Sequence, residues 1–305
     1  MAIIKKFLRM FLKRKMRGRG LGSSRNIIHQ LIFYLIYFKN KKLLLKNKNI
    51  KDTFLGKRCF ILFTGTSVTD FDFDLIKNET VVACGASVLH KDFKKCNVVA
   101  YLNPGPWEPR SLLFFDIIFS SVFRKTKKGC SIFLHTTAFP YTKELTHYRE
   151  QDTFYIASDG NYLSSSDINS DLQQLNNIQE GSISTALSIA SYMGFKEIYL
   201  LGADYLSDPP VYGHFYDGFH EVGSPSDYKE YRERTSLMVD HVENKNSGSK
   251  KLPTFKVSRE KSSLMIEHVW SKKSCRVINV IKDAKQVSSI ESITFQDLKN
   301  IENLQ

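Results

Sequence analysis

The segment Glu180-Gly-Ser-Ile-Ser-Thr-Ala-Leu-Ser-Ile-Ala-Ser-Tyr-Met-Gly-Phe-Lys-Glu-Ile-Tyr-Leu-Leu-Gly-Ala-Asp204 decides the fold. Its small residues begin a predicted helix, Gly194 ends that helix, and the apolar run from Glu197 to Leu201 predicts a buried strand. The strand continues directly into Gly202-Ala-Asp204. Open α/β sheets bind ligands where their strands end, and glycine lets a ligand approach the backbone there. We therefore expect Gly202 and Asp204 at the carboxyl edge of a sheet.

Other apolar runs predict the rest of this sheet. They are Cys59 to Phe63, Val81 to Gly85, Asn97 to Gly105, Cys130 to His135 and Arg276 to Ile281. Because helical or irregular connections separate them, the chain is predicted to be an α/β protein with a doubly wound, mostly parallel, Rossmann-like sheet. The looser region from about 207 to 262 is predicted to be a lid insertion, and Ser289 to Leu304 a short strand followed by a capped helix.

The positive charge is concentrated at the amino terminus. The 305 residues have a formal net charge of +13, but residues 1–50 hold 14 of the 44 Lys and Arg and no acid. The remaining residues carry 30 basic and 31 acidic side chains. This balance argues against nucleic acid as a partner, because the body has no basic surplus to extend the patch. We divide the chain into a basic arm, 1–55, and a domain, 56–305.

The arm has the pattern of an amphipathic helix. Apolar residues between Ile3 and Leu12 follow helical spacing with Lys and Arg between them, and a second apolar run extends from Ile27 to Phe38. The second run is too short to cross a bilayer. An interfacial anchor on anionic lipid, through residues 1–50, fits this pattern best. Packing of Ile27 to Phe38 on the body, or an organelle presequence, are the alternatives.

The cysteines do not indicate a metal site. The five cysteines are scattered, and no CxxC or Cys/His pair has zinc spacing. The apolar neighbours of Cys59, Cys84 and Cys275 predict buried free thiols in a reducing compartment. We expect no bound metal and no resident cofactor.

These segments resemble bacterial sialyltransferases of glycosyltransferase family 42 and the related 6-hydroxymethylpterin diphosphokinase-like domains. The clearest likeness lies in Gly194-Phe-Lys-Glu-Ile-Tyr-Leu-Leu-Gly-Ala-Asp204, which is similar to the family's Gly-Tyr-Lys-Glu-Ile-Tyr-Leu-x-Gly-Ile-Asp. The resemblance covers about residues 57–212, resumes from 262, and leaves 1–55 outside. It implies a single-domain variant of the GT-A type that transfers a nonulosonic acid from a CMP-sugar to a surface glycan or a lipid-linked saccharide.

The resemblance also implies which residues bind the donor. Gly65-Thr66-Ser67 stands where the family's first strand opens into its Gly-rich loop, Asn103 matches an Asn that contacts the CMP-sugar, and Ser182 matches a Ser that holds the nucleotide. Gly85 stands where the family has a donor-binding Asn, so one such contact is missing here. With Gly202 and Asp204, these residues form the predicted donor site.

The catalytic candidates follow the last of these strands. Tyr205 and Tyr212 are candidates to assist departure of the phosphate, although only Tyr212 aligns with a tyrosine of the family. The family's general-base His does not align, and Val257 stands near its place. His214 and His220, which lie in the predicted lid, are our candidates for the base, since histidine titrates near neutral pH. His135 ends an apolar strand and is expected to be a core residue.

Two other functions remain open at this stage. A diphosphokinase would use ATP and Mg²⁺, held by carboxylates such as Asp204, Asp208 or Asp217. A degenerate transferase fold serving as a membrane-bound scaffold is the other. The arm favours a peripheral glycosyltransferase on the inner, cytoplasmic face of the cell membrane, and a homo-oligomer is compatible with everything in the sequence.

Overall fold

A computed structural model gives the architecture of most of the chain. It describes residues 35, 37–103, 112–142, 147–158, 164–178, 181–208, 214–215, 253–282, 287–288 and 290–302. The chain separates into two units, Met1–Lys42 and Leu43–Gln305. In the first unit, residues 37–42 are helical. The second unit, called the body here, contains the whole sheet, so residues 43–55 lie with the sheet in this structure.

The body is built on an eight-stranded sheet in which every pairing is parallel. The strands that form it or lie beside it are β1 (Arg58–Leu62), β2 (Thr80–Cys84), β3 (Asn97–Asn103), β4 (Ser131–His135), β5 (Thr153–Ile156), β6 (Glu197–Leu201), β7 (Ser207–Asp208), β8 (Arg276–Ile281), β9 (Val287–Ser288) and β10 (Ser292–Thr294). The order is β10-β8-β6-β1-β2-β3-β4-β5, and β7 and β9 form a separate antiparallel pair. The predicted α/β fold with a mostly parallel sheet is therefore confirmed.

Helices cover both faces of this sheet. They are α1 (Leu112–Lys125), α2 (Phe139–Thr142), α3 (Ser182–Tyr192), α4 (Pro253–Lys273) and α5 (Phe295–Glu302). On one face, the buried side chains of α3 pack with Cys59, Ile61 and Val82 of the strands, and α4 packs on α3. On the other face, Phe119 of α1 makes an edge contact with Tyr101, at 5.8 Å between ring centroids.

All six strands predicted from apolar runs are present, as is the short strand before the last helix. The prediction lacked β5, whose four residues Thr153–Ile156 pair with β4 at the sheet's edge. The capped terminal helix is confirmed. Thr294 Oγ1 accepts from Asp297 N at 3.1 Å, while Asp297 Oδ2 accepts from Thr294 N at 2.8 Å. This reciprocal pair satisfies donors that a helix start leaves open, and it lowers the pKa of Asp297.

The segment before β1 runs across the amino ends of the strands. Lys46 Nζ donates to the carbonyls of Glu150, Gln151 and Thr153 at 2.7–2.9 Å, where the chain enters β5. Further on, the N–H groups of residues 52, 54 and 56 donate to the carbonyls of residues 192, 193 and 194, just before β6. Residues 46–56 thus connect the β5 side of the sheet to its centre.

The predicted burial of three free thiols is also confirmed. Cys59, Cys84 and Cys275 are free and buried. Burial raises the pKa of each thiol, that of Cys275 to about 12, so these side chains stay protonated at neutral pH.

His135 gives the first testable prediction. It is a core residue, as expected: its side chain is buried, and its Nδ1 lies 2.8 Å from Thr137 Oγ1. Burial lowers its pKa from 6.5 to about 4. The unfolded state therefore binds more protons in this range, and the stabilisation is complete above pH 6.5 and lost as pH falls to about 4. We expect a loss of about 3 kcal/mol in unfolding free energy from this group.

Urea unfolding at several pH values from 7.5 to 4 measures this loss. His135→Gln removes the titrating group, so the variant should lose stability less steeply than the parent over the same range. Equal pH slopes for the two proteins would contradict the assignment. His147→Asn, which changes an exposed histidine at a φ of +62° that asparagine tolerates, is the control and should keep the parent's slope.

Candidate functional site

The order of the strands creates a crevice between β1 and β6. From β1 the chain builds outward through β2, β3, β4 and β5, and it then returns to the other side of β1 to place β6, β8 and β10. The connections that leave β1 and β6 consequently run toward opposite sides of the sheet. Open α/β folds bind ligands at such a switch point, outside the carboxyl ends of the strands.

Two glycines join the loops at this switch point. The β1–β6 ladder continues past the strands, with Phe63 N donating to Leu201 O at 2.8 Å and Gly65 N to Gly202 O at 3.0 Å. Gly202 has φ +74°, in the left-handed region, and a Cβ on it would lie 2.5 Å from Val68 Cγ2. A Cβ on Gly65 would lie 2.5 Å from both Asp204 Cγ and the Gly202 carbonyl oxygen. Neither position has room for a side chain.

Asp204 fixes the loop that follows β1. Its Oδ2 accepts from Ser67 N at 2.8 Å and from Thr66 Oγ1 at 3.1 Å, and its Oδ1 accepts from Ser67 Oγ. The carboxylate is buried. These hydrogen bonds replace the water that burial removes, so the charge is tolerated there. The structure thus shows Asp204 hydrogen-bonding the loop that follows β1.

His214 lies on the other side of the same loop. The backbone groups of successive residues in an extended chain point to opposite sides. Because Phe63 and Gly65 hydrogen-bond toward β6, the carbonyl of Thr64 faces the β2 side. There it accepts from Phe215 N at 3.0 Å, and Gly65 pairs with His214 in an antiparallel bridge. The His214 ring is exposed, and its Nδ1 lies 3.0 Å from Thr64 Oγ1. The structure thus brings Gly65, Thr66, Ser67, Gly202, Asp204 and His214 into one cluster.

An aromatic stack holds His214 in place. Phe215 is buried and makes an edge contact with His90, at 5.0 Å between centroids, and His90 stacks on Phe73 at 4.5 Å. Sequence reasoning assigned no role to Thr64, His90 or Phe215. The Thr-Gly-Thr-Ser run contained a signal for Thr64, but no local pattern connects residue 215 with residue 90.

Three other predicted donor-binding residues lie at the same edge of the sheet. Gly85 follows β2 directly and has φ +53°, and Asn103 is the last residue of β3. Ser182 is exposed at the start of α3. Since α3 ends near the amino end of β6, its first turn must lie at the carboxyl edge. Gly181, which precedes this helix, has no side chain to cap it. The backbone N–H groups of the first turn therefore face the carboxyl edge of the sheet without a side-chain partner from the N-cap residue.

Of the remaining catalytic candidates, the structure describes Tyr205 but not Tyr212 or His220. The hydroxyl of Tyr205 lies 3.0 Å from Oγ of Ser262, a buried residue of α4, so it contacts the helix. Tyr212 and His220 lie outside the described residues, and their roles stay predictions. Of the predicted lid, residues 253–262 form the first part of α4, and residues 216–252 are also outside the described ranges.

The described residues contain neither a cluster of metal ligands nor a membrane-spanning helix. Within the ranges given above, no three His, Cys, Asp or Glu side chains are grouped so that they could hold a metal ion. Across those same ranges, no helix combines the length and the apolar character needed to span a bilayer.

The fold and the cluster together define an open α/β protein with a polar switch-point site. Comparison with known proteins adds no closer assignment. No protein-family model matches the chain, and no curated protein matches it significantly.

The glycine contact gives the second prediction. Gly202→Ala should lower the unfolding free energy by about 2–4 kcal/mol, because it adds a left-handed alanine and forces its Cβ against Val68. Gly129→Ala is the matched control: Gly129 also has positive φ, +88°, but a Cβ there meets nothing within 4 Å. That control should lose only about 1–2 kcal/mol. Equal losses in urea unfolding would contradict the close approach of the two loops.

Proposed function

We propose that this chain is a glycosyltransferase that transfers a nonulosonic acid from a CMP-sugar to a surface glycan or lipid-linked saccharide. The observation that carries the proposal is the cluster at the β1–β6 switch point. There Asp204 fixes the small-residue loop Thr64–Ser67, and the exposed imidazole of His214 is hydrogen-bonded to the same loop. The donor itself is inferred from the sequence resemblance.

The nucleotide would occupy the carboxyl edge of β1, β2 and β3. The loop after β1 offers small side chains, and the first turn of α3 offers backbone amides with a partial positive charge. A phosphate binds at such backbone N–H groups because its oxygens accept hydrogen bonds and carry negative charge. Asn103, at the end of β3, offers an amide that can hydrogen-bond a cytosine or a ribose. In this arrangement the sugar lies toward His214.

His214 would act as the general base. When its Nδ1–H donates to Thr64 Oγ1, the imidazole carries its lone pair on Nε2. The acceptor hydroxyl then gives its proton to Nε2 as its oxygen attacks the anomeric carbon. The bond between that carbon and the phosphate oxygen breaks, and CMP leaves with the electron pair. Tyr212 stays our candidate to stabilise the leaving phosphate, since the Tyr205 hydroxyl contacts Ser262.

We further propose that the enzyme acts at the inner face of the cell membrane and is held there by residues 1–50. A transferase bound to the membrane meets a lipid-linked acceptor at a higher local concentration, because both lie on the same surface. The basic, acid-free composition of these residues supports the assignment.

The third prediction concerns the nucleotide. Among CMP, CDP, UDP, GDP and ATP, each with and without Mg²⁺, CMP should raise the melting temperature without metal, because a ligand of the folded state stabilises it by mass action. At 100 times its Kd, CMP should add about 2.7 kcal/mol. Stabilisation by ATP only in the presence of Mg²⁺ would instead favour the diphosphokinase. Stabilisation by none of them would contradict a nucleotide site.

Two aspartate variants locate that binding. In Asp204→Asn the amide cannot accept all the hydrogen bonds of Thr66 and Ser67, so the CMP affinity should fall at least tenfold. Asp152→Asn is the matched control, because Asp152 is also buried and accepts a backbone N–H, from Gly129 at 3.2 Å, but lies at the amino end of β5. It should lower stability and leave the CMP affinity unchanged.

The fourth prediction concerns His214. His214→Asn should slow the release of CMP from CMP-nonulosonic acid in the presence of an acceptor glycan by about 10²–10⁴-fold, with the CMP affinity retained. His147→Asn is the control: His147 is exposed, precedes β5, and has φ +62°, which asparagine tolerates. Loss of activity in both variants, or in neither, would remove His214 from the reaction.

A further inference from the structure

The amino edge of the sheet, opposite the crevice, carries a continuous row of exposed lysines. Six neighbouring strands, in the order β8, β6, β1, β2, β3 and β4, are each preceded within four residues by at least one of them. These lysines are Lys272, Lys273, Lys196, Lys57, Lys77, Lys94, Lys127 and Lys128. Because neighbouring strands are about 4.8 Å apart, the row extends for roughly 24 Å. Lys48 and Lys51 are exposed in the segment that crosses the same edge.

The acids at this edge do not balance the row. Glu79 pairs with Arg58, Glu197 and Glu291 pair with Arg276, and Asp152 pairs with Arg149. None of the ten lysines forms an ion pair with a residue that the structure describes. Asp92 and Asp74 pair with Lys95, which precedes β3 but is not one of the ten lysines. The exposed Asp52 and Glu150 are further carboxylates in these segments. The edge therefore has a strong positive surplus, although residues 51–305 are nearly neutral in total.

Exposed apolar side chains accompany the lysines. In the described part of the body, three large apolar residues are mostly exposed: Leu45 at 50%, Leu55 at 67% and Trp270 at 60%. Leu55 lies two residues before Lys57, and Leu45 adjoins Lys46 at the start of β5. Trp270 lies in the last turn of α4, three residues before Lys273 and so on the same side of the helix. All three are thus at or beside the lysine row.

The opposite edge has a different chemistry. The segments that follow β1, β2, β4 and β6, residues 64–67, 85–89, 136–138 and 202–206, contain no lysine or arginine. A cleft of about 450 Å³ opens at the amino edge, between residues 50–54 and the starts of β3, β4 and β5, with Lys127 and Lys128 among its lining residues. Lys282, which follows β8 at the carboxyl edge, pairs with Asp70. The lysine row and the exposed apolar groups are therefore features of the amino edge.

We propose that this amino edge is a docking face of the body for an anionic lipid bilayer, additional to the arm. Lysines near an anionic membrane each add about fivefold to the affinity. Leucine and tryptophan side chains insert at the headgroup boundary, which a purely ionic partner would not require. The face lies wholly within Leu43–Gln305. Its binding to lipid does not depend on the proposed transfer reaction.

Trp270 provides a site-specific test, since the chain has only one other tryptophan, Trp107. In the full chain carrying Trp107→Phe, vesicles of phosphatidylcholine with 30% phosphatidylserine should shift the Trp270 emission to the blue. Brominated lipid in those vesicles should quench it. Pure phosphatidylcholine vesicles should do neither. If Trp107→Phe impairs folding, the difference in quenching between the parent and Trp270→Phe reports the same contact.

Charge variants of the full chain complete the test. Lys127→Gln with Lys128→Gln should weaken vesicle binding by about 30-fold and reduce quenching of Trp270. Lys282→Gln with Lys299→Gln changes the net charge equally but lies off this edge, and it should change binding less than twofold. Vesicle binding with unaltered Trp270 emission would overturn the proposal in favour of the arm alone. A Trp270 response to a single-stranded oligonucleotide and not to vesicles would overturn it in favour of nucleic acid.

Discussion

The site depends on the hydrogen bonds that the buried carboxylate of Asp204 accepts. Asp204 follows β6, yet its hydrogen bonds go to Thr66 and Ser67, which follow β1. The carboxylate can reach them only because Gly65 and Gly202 bring the two loops into backbone contact. Burying a carboxylate is costly unless donors replace the water that it loses, so the loop geometry and the burial of Asp204 support each other. The segment that carries His214 then pairs with the loop that Asp204 and the two glycines fix.

Much of the fold was predictable because buried parallel strands are continuous apolar runs. Six such runs were sufficient to predict the sheet, and the Gly202-Ala-Asp204 turn was sufficient to predict that Asp204 lies at its carboxyl edge. The strand Thr153–Ile156 was harder to recognise, since four residues give little periodicity, although their aromatic and β-branched character was a usable signal. The pairing of His214 with Gly65 could not be predicted, because nothing local specifies a partner 149 residues away.

The lysine row shows a second limit of sequence reasoning. Counting charges indicates a nearly neutral body, and the basic residues concerned are spread from Lys48 to Lys273. They converge only because every strand runs in the same direction, which places the residue before each strand at one edge. The same polarity places the loops after the strands at the other edge, where the segments after β1, β2, β4 and β6 contain no lysine or arginine. The parallel sheet thus separates two surfaces that are mixed along the chain.

Under the proposed transfer reaction, strand length has a consequence for the acceptor. Lys57 and Gly65 lie at the two ends of β1, eight residues apart, which corresponds to about 26 Å of extended chain. A body resting on lipid by its amino edge would hold His214 at about that height above the headgroups. A glycolipid with one or two sugars is too short to reach it, whereas a longer oligosaccharide extends into the crevice. The sheet would then act as a molecular ruler that selects acceptors by the length of their glycan.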